Sequence, residues 1–368
     1  MKIGATGMVT PPAKAVVKTA QQHEAAGFDS AWWPDHLMAW HPQSLWTTEF
    51  TPLAHRQPNA HVFLDTISCM TAAAVSTERI RIGSSVTDPI RRHPAMLAQE
   101  FLSIDHFSNG RCIFGLGTGE GENAIPYGLS ISKPASRLED ALEIIRLLWE
   151  NEGNIAYDSE FWRHEDAVLG LGPVAEGKYP PIWIAAHGPR MLEIAGRLAD
   201  GWLPTVMKAQ DYEARLAKIL EARTKAGVER PFEAGLWAYT CVGESKEDCL
   251  RLFEHPMYKV IALQLPAHVY EKHGAPPPLG DGTYGFNDFI PSRFDREQIL
   301  EVLDKVPVEV VAEAILHGSV DEVVAELKDL EAAGCEHAVL WNVSFLTDAE
   351  RVGPSFAAMA EVQKQVQS

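Results

Sequence analysis

The chain has 368 residues, 46% of them hydrophobic and 22% charged, which supplies apolar material for a large packed core and excludes a disordered chain. Fifty acidic side chains against 32 basic ones give a formal net charge of −18. That balance excludes the basic face a nucleic-acid partner needs and a polybasic membrane anchor.

The five cysteines are odd in number and contain no CxxC pair, so neither a disulfide framework nor a metal site is expected. The start MKIGATG lacks the charged and apolar regions of a signal peptide, and no apolar run is long enough to span a bilayer. The expectation is a reduced, cytoplasmic protein without an integral membrane segment.

In chain order, short apolar runs alternate with amphipathic stretches. Residues 1–7 read as a first strand and 12–26 as a helix closed by Gly27. Residues 29–34 form the second strand and 66–77 a helix. The β-branched run 80–86 (IRIGSSV) suits a buried parallel strand. A helix over 94–107 stops at the turn Ser108-Asn109-Gly110, and 111–117 (RCIFGLG) is the fourth strand. Leu138, Leu142, Ile145 and Leu148 give 137–149 helical spacing.

The second half repeats the rhythm. Strands are expected over 181–186, 201–206, 233–242 and 337–343, with helices over 189–199, 211–226, 320–333 and 348–364. Eight strand–helix units without a composition break predict a single-domain (β/α)8 barrel over residues 1–368. Three segments interrupt it: 37–62, rich in Trp, Pro and His; 151–178, with runs that can pair as a hairpin; and 254–306. Insertions of this length in a compact barrel serve as lids or binding walls.

Active-site groups of such a barrel follow the C-terminal ends of its strands. The residues there are Asp35 and His36, then Trp40; Ser85, Val86 and Asp88; Thr118, Glu120 and Asn123; and Ala186, His187, Gly188 and Arg190. These types suit proton transfer and anion binding. An imidazole at His36 can pass a proton to or from a substrate oxygen near neutral pH, or can be a structural loop histidine. Asp35 can orient His36, bond a cofactor or cap a turn. Glu120 follows a glycine-rich strand end and can trade a proton with a ring nitrogen, or simply favour a helix start. Free N–H groups around Ala186-His187-Gly188 can hold a phosphate. Neither GxGxxG nor GxxxxGK[ST] occurs, so a Rossmann or P-loop nucleotide site is not expected.

Over nearly its whole length the chain resembles the luciferase-like flavin and deazaflavin oxidoreductases. The strings that carry the likeness are PDHLMAW, GSSVTDPIRRHPAMLAQ, DHFSNGRCIFGLGTGEGEN and PIWIAAHGPRMLEIAGRLADGW. Its DH-x3-W and GTGE-x2-N motifs look similar to those of dehydrogenases that use the deazaflavin coenzyme F420. This resemblance implies His36 as acid or base at the substrate oxygen, Trp40 as its positioning neighbour and Glu120 as the group exchanging a proton with the reduced ring. It implies Asp35, Thr118, Asn123, His187 and Gly188 as cofactor contacts, and a non-proline cis peptide between Ser85 and Val86 behind the ring. Asp88 stands where those relatives carry threonine.

The likeness extends to the phthiodiolone ketoreductase family of mycobacteria through EN-x2-PYG, KPASRLEDAL and FIPSRFDREQILEVLDKVP. That family reduces a ketone on a long lipid. Thr205 and Lys208 align with substrate-site residues of the sugar-phosphate dehydrogenase. The resemblance therefore implies hydride transfer between F420 and a ketone or secondary alcohol, with a bulky, apolar, lipid-like molecule as the expected substrate, and a homodimer. The alternatives are an FMN-dependent monooxygenase on the same barrel and a non-catalytic flavin-binding relative. Trp32, Trp33, Trp40 and Trp46 are candidates to line the substrate site, with Trp32 and Trp33 the two that a barrel core would claim.

Overall fold

A computed structural model describes all 368 residues. Eight parallel strands close into a barrel: β1 (Lys2–Thr6), β2 (Ser30–Trp33), β3 (Arg81–Ser84), β4 (Cys112–Leu116), β7 (Ile182–Ile184), β8 (Gly201–Trp202), β9 (Glu233–Val242) and β11 (His337–Asn342). The ring shuts where β1 pairs with β11, Lys2 opposite His337 and Ala5 opposite Leu340. Each expected strand is present, and the expected hairpin forms between β5 (Ile155–Asp158) and β6 (Arg163–Ala167). A further strand, β10 (Ile315–Gly318), extends the far end of β9, with Ile315 opposite Tyr239. The sequence reading did not anticipate it. No helix is long and apolar enough to cross a membrane.

Helix ends follow their local chemistry. Gly27 and Asn109 adopt left-handed conformations after helices Ala13–Ala26 and Pro94–Ser108. Ser319 and Glu322 form a capping box at the start of Val320–Ala332. The helices pack their apolar faces on the outside of the barrel in the largest core cluster, which includes Trp33, Phe101 and Trp202.

The barrel interior is filled by side chains. Trp32, Ile113, Trp183, Leu203 and Val339 form a separate buried cluster. The two indoles lie 5.3 Å apart between ring centroids, and the imidazole of buried His337 meets both edge-on. Neighbouring strands give them room with glycine. A Cβ on Gly83 would come within 2.4 Å of the Trp32 ring, and one on Gly201 or Gly235 within 2.5 Å of Trp183. Gly83→Ala is therefore expected to destabilise the protein by ~1–3 kcal/mol, the usual cost of overpacking a filled core. A shift in the denaturant midpoint with an unchanged m-value would show it.

The third insertion folds into short helices, among them Pro256–Ala262, Ala267–Lys272, Gly285–Asp288 and Arg296–Asp304. With β10 and the end of β9 it encloses a second core around Phe253, Tyr258 and Phe289. Its backbone seats directly on the barrel mouth, since a Cβ on Gly121 would lie 1.9 Å from the Asn287 carbonyl oxygen. The segment is a wall of the mouth.

Candidate active site

A cleft of roughly 890 Å3, open to solvent, occupies the C-terminal mouth of the barrel. It is lined by His36, Trp40, Ser85, Val86, Asp88, Thr118, Glu120, His187 and Thr205, all of them sequence candidates. Tyr284 and Phe286 from the third insertion complete the wall, with Trp237, Tyr239 and Trp341 from β9 and β11. Trp237 and Tyr239 are two residues apart on one strand, so the alternation of a strand puts both on the barrel interior. That signal was available in the sequence.

The peptide between Ser85 and Val86 is cis, as the resemblance implied. It packs on β4 because β4 carries glycine there. A Cβ on Gly115 would sit 1.7 Å from the Ser84 carbonyl oxygen, and one on Gly117 2.7 Å from a Val86 methyl.

His36 leaves the end of β2 and is held between Trp40, edge-on at 5.9 Å, and Phe63 at 5.6 Å. Behind it stands Asn123. The Asn123 Oδ1 accepts from the backbone N–H groups of Leu37 (2.7 Å) and Met38 (3.0 Å). Two backbone donors fix which end of the amide is oxygen, so Nδ2 must face the other way. There Nδ2 donates to His36 Nδ1 at 2.9 Å. His36 Nδ1 is therefore an acceptor, the ring is neutral with its proton on Nε2, and Nε2 is left to the cleft that the ring lines.

The same Nδ2 lies 2.6 Å from Glu122 Oε1 and 3.1 Å from Glu120 Oε2, so its two N–H groups face three acceptors and the longest contact, to Glu120, is at most a shared one. Both carboxyls lie 3.7 Å from His36 Nδ1. The Glu120 side chain is 29% exposed and that of Glu122 fully buried. Burial, and then the neighbouring Glu120 carboxylate, push the Glu122 carboxyl well above its ordinary range. His36, Glu120 and Glu122 place ligand atoms within 4.8 Å of one another, a spacing a cation can use. The Asn123 amide group, itself a hydrogen-bond donor, fills the middle of that triangle.

Other candidates sit elsewhere. Asp35 is buried outside the cleft wall: it accepts from Thr87 Oγ1 at 2.7 Å and pairs with Arg91 (3.3 Å) and Arg92 (3.2 Å). Burial pushes its carboxyl up, but the two guanidinium groups overcome this and hold it below the usual range. Asn123 stands behind His36 rather than at the wall. Ala186 is buried, its carbonyl accepting from Trp202 Nε1, and Ala185 takes the wall position. Arg190 turns outward to Ser136 and Glu139, and Lys208 lies 3.7 Å from Glu326, so neither reaches the cleft. Trp32 and Trp33 are core, and Trp46 packs on the second core. Arg91, Arg215 and Glu122 were not anticipated. Nothing in a lone arginine or in the doublet of Glu122 and Asn123 shows which way the side chain turns.

At the far side of the cleft, buried His187 is pushed down to about 4 by burial and by Arg215, so its ring is neutral. Arg215 lies 3.3 Å from its Nδ1, while the Thr205 backbone N–H donates to its Nε2 at 3.3 Å and the Thr205 hydroxyl lies 3.2 Å from the same nitrogen. Gly188 then caps helix Pro189–Leu198 with no side chain on the first N–H groups and open space where a Cβ would be. Two polar atoms of the wall, Ser85 Oγ and Trp237 Nε1, are buried and have no protein partner. A flat heterocycle with polar edges fits the unsatisfied donors and aromatic faces of this wall, while the helix N-terminus at Gly188 and Arg215 adjoin His187 without lining the cleft themselves.

The sequence profile of the luciferase-like monooxygenases matches residues 1–337. The chain is 34% identical over 348 residues to the phthiodiolone/phenolphthiodiolone dimycocerosates ketoreductase of Mycobacterium tuberculosis, covering 93% of this chain and 90% of that protein. It is 28% identical over 317 residues to the 5,10-methylenetetrahydromethanopterin reductase of Archaeoglobus fulgidus, 86% of each chain. Among solved structures, an F420-dependent secondary alcohol dehydrogenase holding an F420–acetone adduct superimposes with a TM-score of 0.75 at 19% identity, over 100% of this chain and 99% of that one. That likeness is one of fold.

Proposed function

This chain belongs to the luciferase-like monooxygenase family, and from that premise we propose that it is an oxidoreductase that transfers a hydride between coenzyme F420 and a ketone or secondary alcohol. When bound, the deazaflavin supplies the hydride donor or acceptor. The protein supplies placement and proton handling. The observation that carries the reading is His36, locked by Asn123 with its Nε2 proton toward the cleft and with Glu120 and Trp40 beside it. Carbonyl reduction needs such a donor at the oxygen, and alcohol oxidation runs the same transfer backwards.

Val86, Leu203 and the aromatic wall would hold the ring, with Ser85 Oγ and Trp237 Nε1 toward its polar edges. Thr118, Asp88 and Glu120 lie along the same wall. Arg215 and the open first turn at Gly188 would hold the phosphate end. Trp40, edge-on to Phe286 at 5.4 Å, would border the substrate in the cleft that both rings line. The mycobacterial ketoreductase supports a carbonyl substrate with a long apolar body, and the wall of Trp237, Tyr239, Phe286 and Trp341 supports an apolar one. We also propose a cytoplasmic homodimer of single-domain barrels.

The second reading is an FMN-dependent monooxygenase, favoured by the name of the family itself. Titrating the purified protein with F420 and, in parallel, FMN while following Trp fluorescence separates the two. Trp40, Trp237 and Trp341 at the wall make the signal direct. Tight F420 binding with weak FMN binding is expected. Preference for FMN would move the protein to the oxygenases and remove the roles given to His36 and Glu120.

A further inference from the structure

We propose that Tyr239 and Gln264 determine specificity: they hold a hydroxyl group that the substrate carries away from its reacting carbon, and the apolar arm beyond that hydroxyl enters a side pocket between β9 and the third insertion. This rests on the function proposed above and deepens it. The substrate class becomes a hydroxy-ketone, or the diol that is its reduced form, with a short apolar arm.

The side pocket measures roughly 300 Å3, against roughly 890 Å3 for the cleft, and shares Thr205, Trp237, Tyr239, Gln264 and Phe286 with it. Its remaining lining is apolar: Val206, Ile261, Leu265 and Ala314. Ile261 and Ala314 belong to the second core, so on that side the pocket ends against packed side chains. The wall has little room to move. A Cβ on Gly285 would lie 1.8 Å from the Leu263 carbonyl oxygen and 2.6 Å from the Gln264 carbonyl carbon. The backbone before Phe286 is thus seated directly on the backbone of Gln264.

In this apolar surrounding Gln264 is the exception. It is 4% exposed, yet its amide makes one hydrogen bond, Nε2 donating to Tyr239 Oη at 3.3 Å. That is also the one hydrogen bond of the phenol. The Gln264 carbonyl is left without a donor and the Tyr239 O–H without an acceptor. Turning the amide over exchanges the roles and leaves the same balance, a free donor and a free acceptor. A buried amide used by half costs stability that an apolar side chain of the same size would not. Its oxygen is not among the protein's sealed, partnerless atoms, so it opens to the space that the residue lines.

A hydroxyl answers both partners. It donates to one and accepts from the other through a single atom, which suits two groups in hydrogen-bond contact with each other. A ketone or ether oxygen would only accept. An ammonium would only donate, and its charge would lose solvation among Trp237, Phe286 and Ile261. The reacting carbon lies elsewhere in the cleft. His36 meets Trp40 at 5.9 Å, Trp40 meets Phe286 at 5.4 Å, and Phe286 stands at the side pocket.

The test begins on the protein without cofactor. The probes are 2-octanone and its chain-hydroxylated derivatives. The signal is Trp fluorescence, to which Trp237 contributes from 4.6 Å beside Tyr239. One hydroxylated form should bind about tenfold tighter than 2-octanone, the gain from hydrogen bonds that the unsubstituted chain cannot make. Gln264→Met and Tyr239→Phe, which keep the shape of the wall, should each cut that preference to about twofold or less. In the F420-loaded enzyme the preference should appear in KM and not in kcat.

If no hydroxylated form is preferred by the wild type, the proposal is overturned without recourse to a variant. A preference that both variants keep overturns it as well, leaving the pair a packing element or a seat for water. Collapse of kcat for 2-octanone itself in both variants would put the reacting oxygen at Tyr239 and overturns it too. If the protein binds no F420, the functional reading fails instead, and the binding preference alone still decides whether Tyr239 and Gln264 hold a hydroxyl.

Discussion

Replacing His36 by alanine is expected to lower turnover of a ketone with reduced F420 by ~10²–10⁴-fold, the range of a positioned acid–base group. The F420 dissociation constant should stay nearly unchanged. His36 touches the cleft through one ring nitrogen and meets the protein through the other, at Asn123 Nδ2. The features assigned to the cofactor are the aromatic wall, Ser85, the Gly188 turn and Arg215, none of which depends on the imidazole. Stopped-flow absorbance of the deazaflavin and equilibrium fluorescence titration of the same variant give the two numbers. Equal losses in rate and affinity would remove the acid–base role and leave His36 a wall residue.

Arg91→Met should produce the largest loss of stability, ~3–5 kcal/mol, the usual cost of stripping one partner from a buried ion network. Arg91 Nε donates to Asp88 Oδ2 at 2.6 Å, and its NH2 to the Asp35 carbonyl at 2.7 Å while lying 3.3 Å from the Asp35 carboxylate. Both aspartates are buried, so methionine leaves Asp88 with backbone N–H partners only and Asp35 dependent on Arg92 and the Thr87 hydroxyl. The pH dependence has a definite sign. The folded state holds Asp35 below its ordinary value, so its contribution is complete above that value and is lost as pH falls through the depressed one. Urea unfolding of wild type and variant should differ most at neutral pH and converge in acid. A neutral-pH difference under 1 kcal/mol would mean that Arg92 and Thr87 hold Asp35 alone.

The elements of the barrel were legible because each carries its own local signature. The run Arg81–Ser84 is short, apolar and bounded, the helix Pro94–Ser108 opens on proline and stops at Asn109 and Gly110, and the hairpin at Ile155–Ala167 alternates. β10 was not legible. Its four residues follow helix Val308–Ala314 without a break in apolar pattern, and only the exposed flank of β9 makes them a strand. The need for Gly83, Gly201 and Gly235 also lies outside any local pattern, because the rings that forbid a Cβ there belong to Trp32 and Trp183 on other strands.

By itself, then, the sequence determined the alternation that closes a barrel and the placing of His36, Trp40 and Glu120 after the ends of its strands, where the cleft opens. Those properties follow from hydrophobic periodicity and from the rule that a barrel's strand ends converge. Only the tertiary structure decided where neighbouring side chains turn. Asp35 and His36 are adjacent in sequence, yet one goes to Arg91 and the other to the cleft. Glu120 and Glu122 are two residues apart, yet one opens to the cleft and the other is sealed behind His36. In a loop no fixed period sets side-chain direction. It is set by partners distant in the chain, here Thr87 and Arg92 for Asp35 and the Leu37 and Met38 N–H groups that orient Asn123.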